Sequence, residues 1–506
     1  MTTTDPTTPR TRDRDRDRDR APYGAPARPA GRLTLEELRG LADARRIETV
    51  LLALPDLQGR LKGKRHGVRA FLDQVAAHGA EACAYVLATD VDMRPLPGYA
   101  LASWETGYQD LRVRPDLDTL RTVPWLPRTA LVHGDALAPE SGQPLAVAPR
   151  RLLRRELDQL AGLGLRVQAG LETEFALYRG SYAQAAEQGF HGLVPAWGDN
   201  LDYALDHPPV LDRYLRRLSD ALDGAGLPVE ALKTESAPGQ VEITFPYGDA
   251  LAACDGHTVF KHAARVVGER TGLAATFMAA PETGTGNGLH LHLSLWRGEH
   301  SALNGAGATG HGADTSASGT SDASGASGAS GRNGGLSPLG ERAVAGLLDA
   351  LPQLAPLYAP TVNSYRRFRP DSFAPTHFTW GRDNRTCAVR VTGQGAGLHL
   401  EVRLPGADAN PYLALAAALA AVRHGLTGDL PLPHPHTGSA YAQARGEPPV
   451  PVTLEQALAA FRGGPLAREL LGAEAVAHYA YCAETEVAAH RYVVTDAERV
   501  RGFSRA

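Results

Sequence analysis

"GLHLHLSL", residues 288–295, puts His290, His292 and Ser294 on one side of an extended chain and Leu289, Leu291, Leu293 and Leu295 on the other. Successive side chains of a β-strand point to opposite faces. The spacing therefore predicts a strand whose leucines pack on a core and whose other face lines up two imidazoles and a hydroxyl. It follows directly on the Gly-rich run "GTGNG" at 284–288. A strand with a merely wetted polar face gives the same pattern, and two histidines alone do not make a metal centre.

The same parity recurs in four further stretches. In "GLETEF" (170–175) Glu172 and Glu174 share a face, and in "QVEITF" (240–245) Glu242 and Thr244 do. In "CAVRVT" (387–392) Arg390 opposes Val389 and Val391, and in "LHLEVRL" (398–404) His399, Glu401 and Arg403 oppose Leu400, Val402 and Leu404. Each alone is an ordinary half-exposed strand. Together they predict one polar cavity lined by one curved sheet. Carboxylates crowded there repel, and burying them unpaired is costly, so a cation should sit among them. Oxygen ligands with one or two imidazoles suit Mg²⁺ or Mn²⁺, with phosphates as co-ligands. Arg366, Arg367, Arg385, Arg390 and Arg403 could clamp phosphate or carboxylate. Arg366 and Arg367 are adjacent and point differently, so only one of them is expected to enter the site.

The chain has 506 residues, 43% of them hydrophobic, and a formal net charge of −4, which suits more than one domain. Such a charge gives no reason to expect nucleic acid or an acidic membrane as partner. Cys83, Cys254, Cys387 and Cys482 are scattered, without a disulfide framework or zinc knuckle. The polar N-terminus is no secretory signal, and the longest apolar run, "YLALAAALAAV" (412–422), is too short to span a bilayer. A soluble, cytoplasmic protein is expected. Residues 1–31, with "RDRDRDRDR" at 12–20, read as a disordered tail, and 302–335 as a disordered Gly/Ala/Ser insert. Helices are predicted over 34–47, opened by a Thr-x-x-Glu cap, and around 68–79 and 147–165, with a strand at 49–54 and short Pro-broken strands through 107–125. The organisation is a small α/β domain followed by a large α+β domain.

"AGLETEF", "KTESAPGQVEI", "GTGNGLHLHLSL", "NSYRRFRPDSFAP", "WGRDNRTCAVRV" and "LEVRLPGADANPYLALAAAL" stand in the order and spacing of the glutamine synthetase superfamily, which the chain resembles over 32–506 apart from the insert. The resemblance implies an α+β fold: a small N-terminal β-grasp-like domain (32–145) and a large C-terminal catalytic domain (146–506) with a curved antiparallel sheet. It implies that Glu174, Glu235 and Glu242 hold one divalent metal, and that Glu172, His290 and Glu401 hold a second, with Mg²⁺ or Mn²⁺ at two sites per active site and ATP as co-substrate. By the same resemblance Arg367 and Arg403 hold glutamate or its acyl phosphate, with Gly286 in the glutamate loop. Arg385 and Arg390 take the ATP phosphates, Arg385 and Arg367 act in catalysis, and His292 and Ser294 lie on the nucleotide side. The implied reaction passes through γ-glutamyl phosphate, and the implied assembly is a homo-oligomer, commonly a dodecamer of two six-membered rings with active sites shared between subunits.

Several positions depart from glutamine synthetases proper. Phe373, in "RPDSFAP", stands where those enzymes carry a Glu that binds ammonium and takes its proton. A phenyl ring cannot do that, but it can pack on an alkylamine or face a second ammonium. The Asp-Gly-Ser-Ser wall of the ammonium pocket is also missing; "YVLATDVDM" (85–93) stands there. Both changes resemble the γ-glutamyl-amine ligase branch, which includes γ-glutamylpolyamine and γ-glutamylethanolamide synthetases. A neutral loop change with Asp371 serving as base is the alternative. Ala280-Pro281 replaces a Lys-Pro pair, His399 replaces a basic residue, and "GLTGDLPL" (425–432) lacks the adenylylated Tyr of the family. The leading expectation is an ATP-dependent glutamate–amine ligase of nitrogen metabolism, with polyamines or diamines ahead of a monoamine such as ethanolamine. Asp90, Asp92, Asp110 and Asp371 are candidates for a polyamine entrance. Phe373 would contact the amine. Glutamine synthetase using ammonia and a non-catalytic scaffold are the alternatives.

Overall fold

The structure, a computed structural model, describes residues 30–305, 335–443 and 446–505. The expected tail, apart from Ala30 and Gly31, and the expected insert, apart from Ala302–Gly305 and Gly335, lie outside the described residues. The described ends of the insert meet: the Gly305 N–H donates to the Gly335 carbonyl at 2.9 Å, and Asn304 bridges Leu336.

Thr34 caps the first helix, Leu35–Asp43, by a reciprocal bond with Glu37. That helix stops short of the expected residue 47 because Arg45 turns left-handed at φ +54°. A first sheet follows, from β1 (Thr49–Pro55), β2 (Leu61–Gly67), β3 (Ala80–Cys83), β4 (Asp110–Pro115), β5 (Arg121–Thr122) and β6 (Thr129–Leu137). Its order is β2-β1-β6-β4-β3, with β5 on β6 and only β1/β6 parallel. The predicted helix at 147–165 is Pro149–Gly162, and the chain reverses at Gly164, φ +73°.

The second sheet carries ten strands: β7 (Arg166–Arg179), β8 (Ala231–Thr234), β9 (Gln240–Thr244), β10 (Gly248–Asp249), β11 (Leu273–Thr276), β12 (Leu289–Arg297), β13 (His300–Ser301), β14 (Trp380–Arg382), β15 (Val389–Thr392) and β16 (His399–Val402). The main path is β14-β15-β16-β12-β7-β9-β8, antiparallel throughout except for the parallel β14/β15 pair. All five stretches read by parity lie in this one sheet. Leu289, Leu291, Leu293 and Leu295 are buried in the main core. The Ala-rich segment at 412–422 sits inside the helix Pro411–Thr427 and is buried from end to end. No helix among the described residues is long and apolar enough to cross a membrane.

A buried ionic knot ties the first sheet's region to three helices, Pro149–Gly162, Ala250–Thr271 and Pro411–Thr427. Arg150 donates to Asp255 at 2.7 and 2.9 Å and to Asp116 at 2.9 Å, and it also pairs with Asp135. The Tyr412 hydroxyl donates to Asp255 at 2.6 Å. Burial would lift the Asp255 carboxyl, but His133, Arg150 and Tyr412 hold it well below the usual range.

Candidate active site

Strand register arranges the polar face in three rungs. Arg390 pairs with Glu401, Glu401 with His292, and His292 with Gly170. One step on, His290 pairs with Glu172 and Glu172 with Thr244. The third rung runs from Glu174 through Glu242 to Lys233. Cross-strand partners lie on the same face, so these rungs focus charge into one cleft.

Two donor clusters stand on these rungs. Ligand atoms of Glu172, His290 and Glu401 lie within 4.8 Å of one another, as do those of Glu174, Glu235 and Glu242. In the first, His290 Nδ1 is 2.6 Å from Glu172 Oε1 and 3.6 Å from Glu401 Oε1. Arg390 donates to Glu401 at 2.9 Å, and Arg403 also pairs with Glu401. Burial would raise Glu401, but Arg403, His290, His292 and Arg390 bring it down to about 2. Burial would likewise raise Glu172; hydrogen bonds from His290 and His292 hold it well below the usual range. The second cluster has less compensation. Burial, with Glu172 close behind, pushes the Glu242 carboxyl up to about 9, and burial with Glu174 raises Glu235. Carboxylates crowded and part-buried in this way fit a hard divalent cation, and the donor set of carboxylate oxygens with one imidazole suits Mg²⁺ or Mn²⁺.

The Gly-rich run supports both clusters. The Gly288 N–H donates to Glu174 Oε2 at 2.6 Å. A Cβ at Gly288 would come within 2.7 Å of His290 Nε2 and 2.9 Å of Arg367 Nη2, so only glycine lets this strand entrance pass between them. Gly286 lies against Arg367, where a Cβ would meet its Cγ at 3.1 Å, and the Gly286 carbonyl accepts from Gln240 at 2.8 Å.

Of the adjacent arginines, Arg366 is exposed and Arg367 is buried. Arg367 donates to the carbonyls of Leu404 at 2.9 Å and Arg403 at 3.1 Å. Arg403 donates to the Arg385 carbonyl at 3.1 Å and toward the Phe373 carbonyl at 3.4 Å. The loop carrying Phe373 is strained: Asp371 and Phe373 sit at φ +58° and +57°, and Phe373 is 65% exposed. Arg385 is exposed and is a member of neither cluster. His292 and Ser294 line a cavity of about 290 Å³ with Phe245, Tyr247, Trp296 and Leu398. There His292 Nδ1 meets His399 Nε2 at 3.1 Å, and Ser294 accepts from Trp296 Nε1 at 2.9 Å. The four acidic residues expected around an amine entrance lie on separate segments. Asp90 and Asp92 stand by Arg94, Asp110 lies at the start of β4, and Asp371 is two residues before Phe373.

A family model of the glutamine synthetase catalytic domain matches residues 146–321 and 306–501. The γ-glutamylethanolamide synthetase of Streptomyces coelicolor is 44% identical over 473 residues, covering 94% of this chain and 96% of that protein. The γ-glutamylputrescine synthetase of Escherichia coli is 31% identical over 489 residues, covering 92% and 95%. The chain belongs to the glutamine synthetase family, in its γ-glutamyl-amine ligase branch. Among solved structures, GmaS in complex with ADP is 28% identical and superposes with a TM-score of 0.75, covering 92% of this ligase and 99% of that chain. The enzyme class is that of an ATP-dependent glutamate–amine ligase.

Two contributors to the site were missed in the sequence. Lys233 touches Glu235 and lies 3.5 Å from Glu242, and Asp383 accepts from Arg390 Nε at 3.0 Å. Lys233 could have been found by its i−2 spacing from Glu235. Asp383 carried no such signal, because it sits in a turn at φ +50°.

Proposed function

We propose that this ligase joins the γ-carboxylate of glutamate to a small primary alkylamine through γ-glutamyl phosphate. The observation that carries the reading is the pair of donor clusters on adjacent rungs. Glu174, Glu235 and Glu242 would hold one divalent ion, and Glu172, His290 and Glu401 the other. Bound there, the ions would neutralise phosphoryl oxygens and align the attacking and leaving groups.

The chain's own residues do the rest. Arg367 and Arg403, buried and anchored to backbone carbonyls, present fixed guanidinium edges to a carboxylate or acyl phosphate. The γ-carboxylate oxygen attacks the terminal phosphorus of ATP and ADP leaves, with Arg390 beside Glu401, and Arg385 of the β14–β15 connection, to take the phosphates. The amine nitrogen then attacks the acyl carbon, phosphate departs with the C–O electrons, and the amine gives up a proton. His292, Ser294 and the aromatic wall of the 290 Å³ cavity suit the nucleotide.

A monoamine of the ethanolamine type leads over polyamines, reversing the order expected from the motifs. The 44% relative is named for ethanolamine, and the loop that carries Phe373 offers one carboxylate, Asp371, to meet a second ammonium. Assembly into two stacked six-membered rings is part of this reading, and the exposed Trp104, Tyr492 and Phe503 are available for contacts between copies. The test is ATP-dependent phosphate release with glutamate and Mg²⁺ against ammonium, ethanolamine, putrescine, cadaverine, spermidine and spermine. Turnover with ethanolamine and little with ammonium supports the reading; ammonium winning would return the enzyme to glutamine synthesis.

A further inference from the structure

Lys233 stands on β8 opposite Glu242, at the end of the third rung. Its ammonium pairs with Glu235 and lies 3.5 Å from Glu242 Oε2. It also sits 4.7 Å from the ring centre of Tyr203, whose loop is tied to the same strand. Tyr203 N–H donates to the Thr234 carbonyl at 3.3 Å, and the Thr234 hydroxyl donates to the Leu201 carbonyl. Two of the three carboxylates in this cluster thus already face one cation that belongs to the chain. The other cluster has no lysine: its cationic neighbours, Arg390 and Arg403, are guanidiniums anchored elsewhere, on Asp383 and on the Arg385 carbonyl.

An ammonium and a divalent ion cannot share the same oxygens without facing each other at short range in a part-buried setting, where their repulsion is strong. The ammonium already touches the Tyr203 ring, and the lysine stem is flexible, so release from the carboxylates leaves it a position held by that ring alone, on the solvent side. Tyr203 is 69% exposed, so that alternative position lies at the rim of the cleft.

We propose that Lys233 is a positioning residue of the ligase: an internal counter-ion that holds Glu235 and Glu242 together until a divalent ion displaces it onto the Tyr203 ring. This rests on the reading of Glu174, Glu235 and Glu242 as metal ligands. The two clusters then load unequally. The lysine weakens divalent binding at its own cluster and leaves the Glu172/His290/Glu401 cluster untouched. The displaced ammonium becomes available to an anionic oxygen entering that side of the cleft.

The experiment is Mn²⁺ titration of the full chain by calorimetry and electron paramagnetic resonance, in wild type, Lys233→Met and Lys233→Arg. In Lys233→Met one of two Mn²⁺ sites should tighten by about tenfold while the other is unchanged. Lys233→Arg, which keeps the charge, should bind as wild type does. Metal-free Lys233→Met should melt lower than wild type and gain more on adding Mn²⁺. If that variant does not fold without metal, it is prepared with Mn²⁺ and stripped by a chelator; release slower than from wild type supports the inference, and equal or faster release overturns it. Unchanged or weaker binding in Lys233→Met also overturns it, and with two ions still bound by wild type the metal reading survives. Fewer than two ions in wild type would remove the metal reading and this inference together.

Discussion

At the scale of a single residue, the proposed amine preference turns on Phe373. Its ring is exposed and its backbone strained, a combination that persists only where the surroundings over-determine it. Phe373→Glu restores an anionic, proton-accepting group. Steady-state kinetics should then show the kcat/KM for alkylamine falling about tenfold or more while that for ammonium rises. Gly288→Ala tests a different contact, because its Cβ would meet His290 and Arg367 at 2.7 and 2.9 Å. Activity should fall by about a hundredfold with little change in secondary structure by circular dichroism. Near-normal activity would mean the strand entrance is not held between those two side chains. Lys233 shows how far the site was legible at this scale: its spacing from Glu235 puts the two on one face, and no more than that. Its partners Glu235 and Glu242 are on different segments, and nothing in "ALKTE" alone says that the ammonium turns toward them.

Strands were the legible element. Period-2 alternation showed which side chains of β7, β9, β12, β15 and β16 share a face, because the leucines, valines and isoleucine between them had to be buried. Register was not legible: that His290 stands against Glu172, and Glu242 against Glu174, depends on pairing between distant segments. Helix ends were also misjudged, where a left-handed Arg45 overrode the apolar spacing of the first helix. The buried face of β12 should carry stability apart from chemistry. Leu291→Ala leaves a cavity beneath the histidines and should cost about 2–5 kcal/mol in urea unfolding. Metal affinity should be nearly retained at low denaturant.

Over the whole molecule, long-range polar contacts were beyond reach of the sequence. The Arg150 knot joins Asp116 and Asp135 of the first sheet's region to Asp255 on the helix Ala250–Thr271, three segments with no local pattern in common. Stability should also depend on pH through His478, which is buried against Tyr99 with ring centres 4.6 Å apart. Burial pushes its imidazole from 6.5 down to about 4. The unfolded chain therefore takes the proton first. The contribution is complete above about pH 6.5 and is lost as pH falls toward 4, by up to about 3 kcal/mol. Comparing urea midpoints at pH 7.5 and 5 for wild type and His478→Phe should show a smaller acid loss in the variant; equal losses would assign the effect to other groups.

The most direct measurement on the central claim is the number of Mn²⁺ ions bound per chain, read by electron paramagnetic resonance under saturating conditions. Two ions in wild type are predicted from the two clusters, falling to one in Glu242→Gln and to one in Glu401→Gln. A single ion in wild type, or a count of two surviving either substitution, would contradict the account.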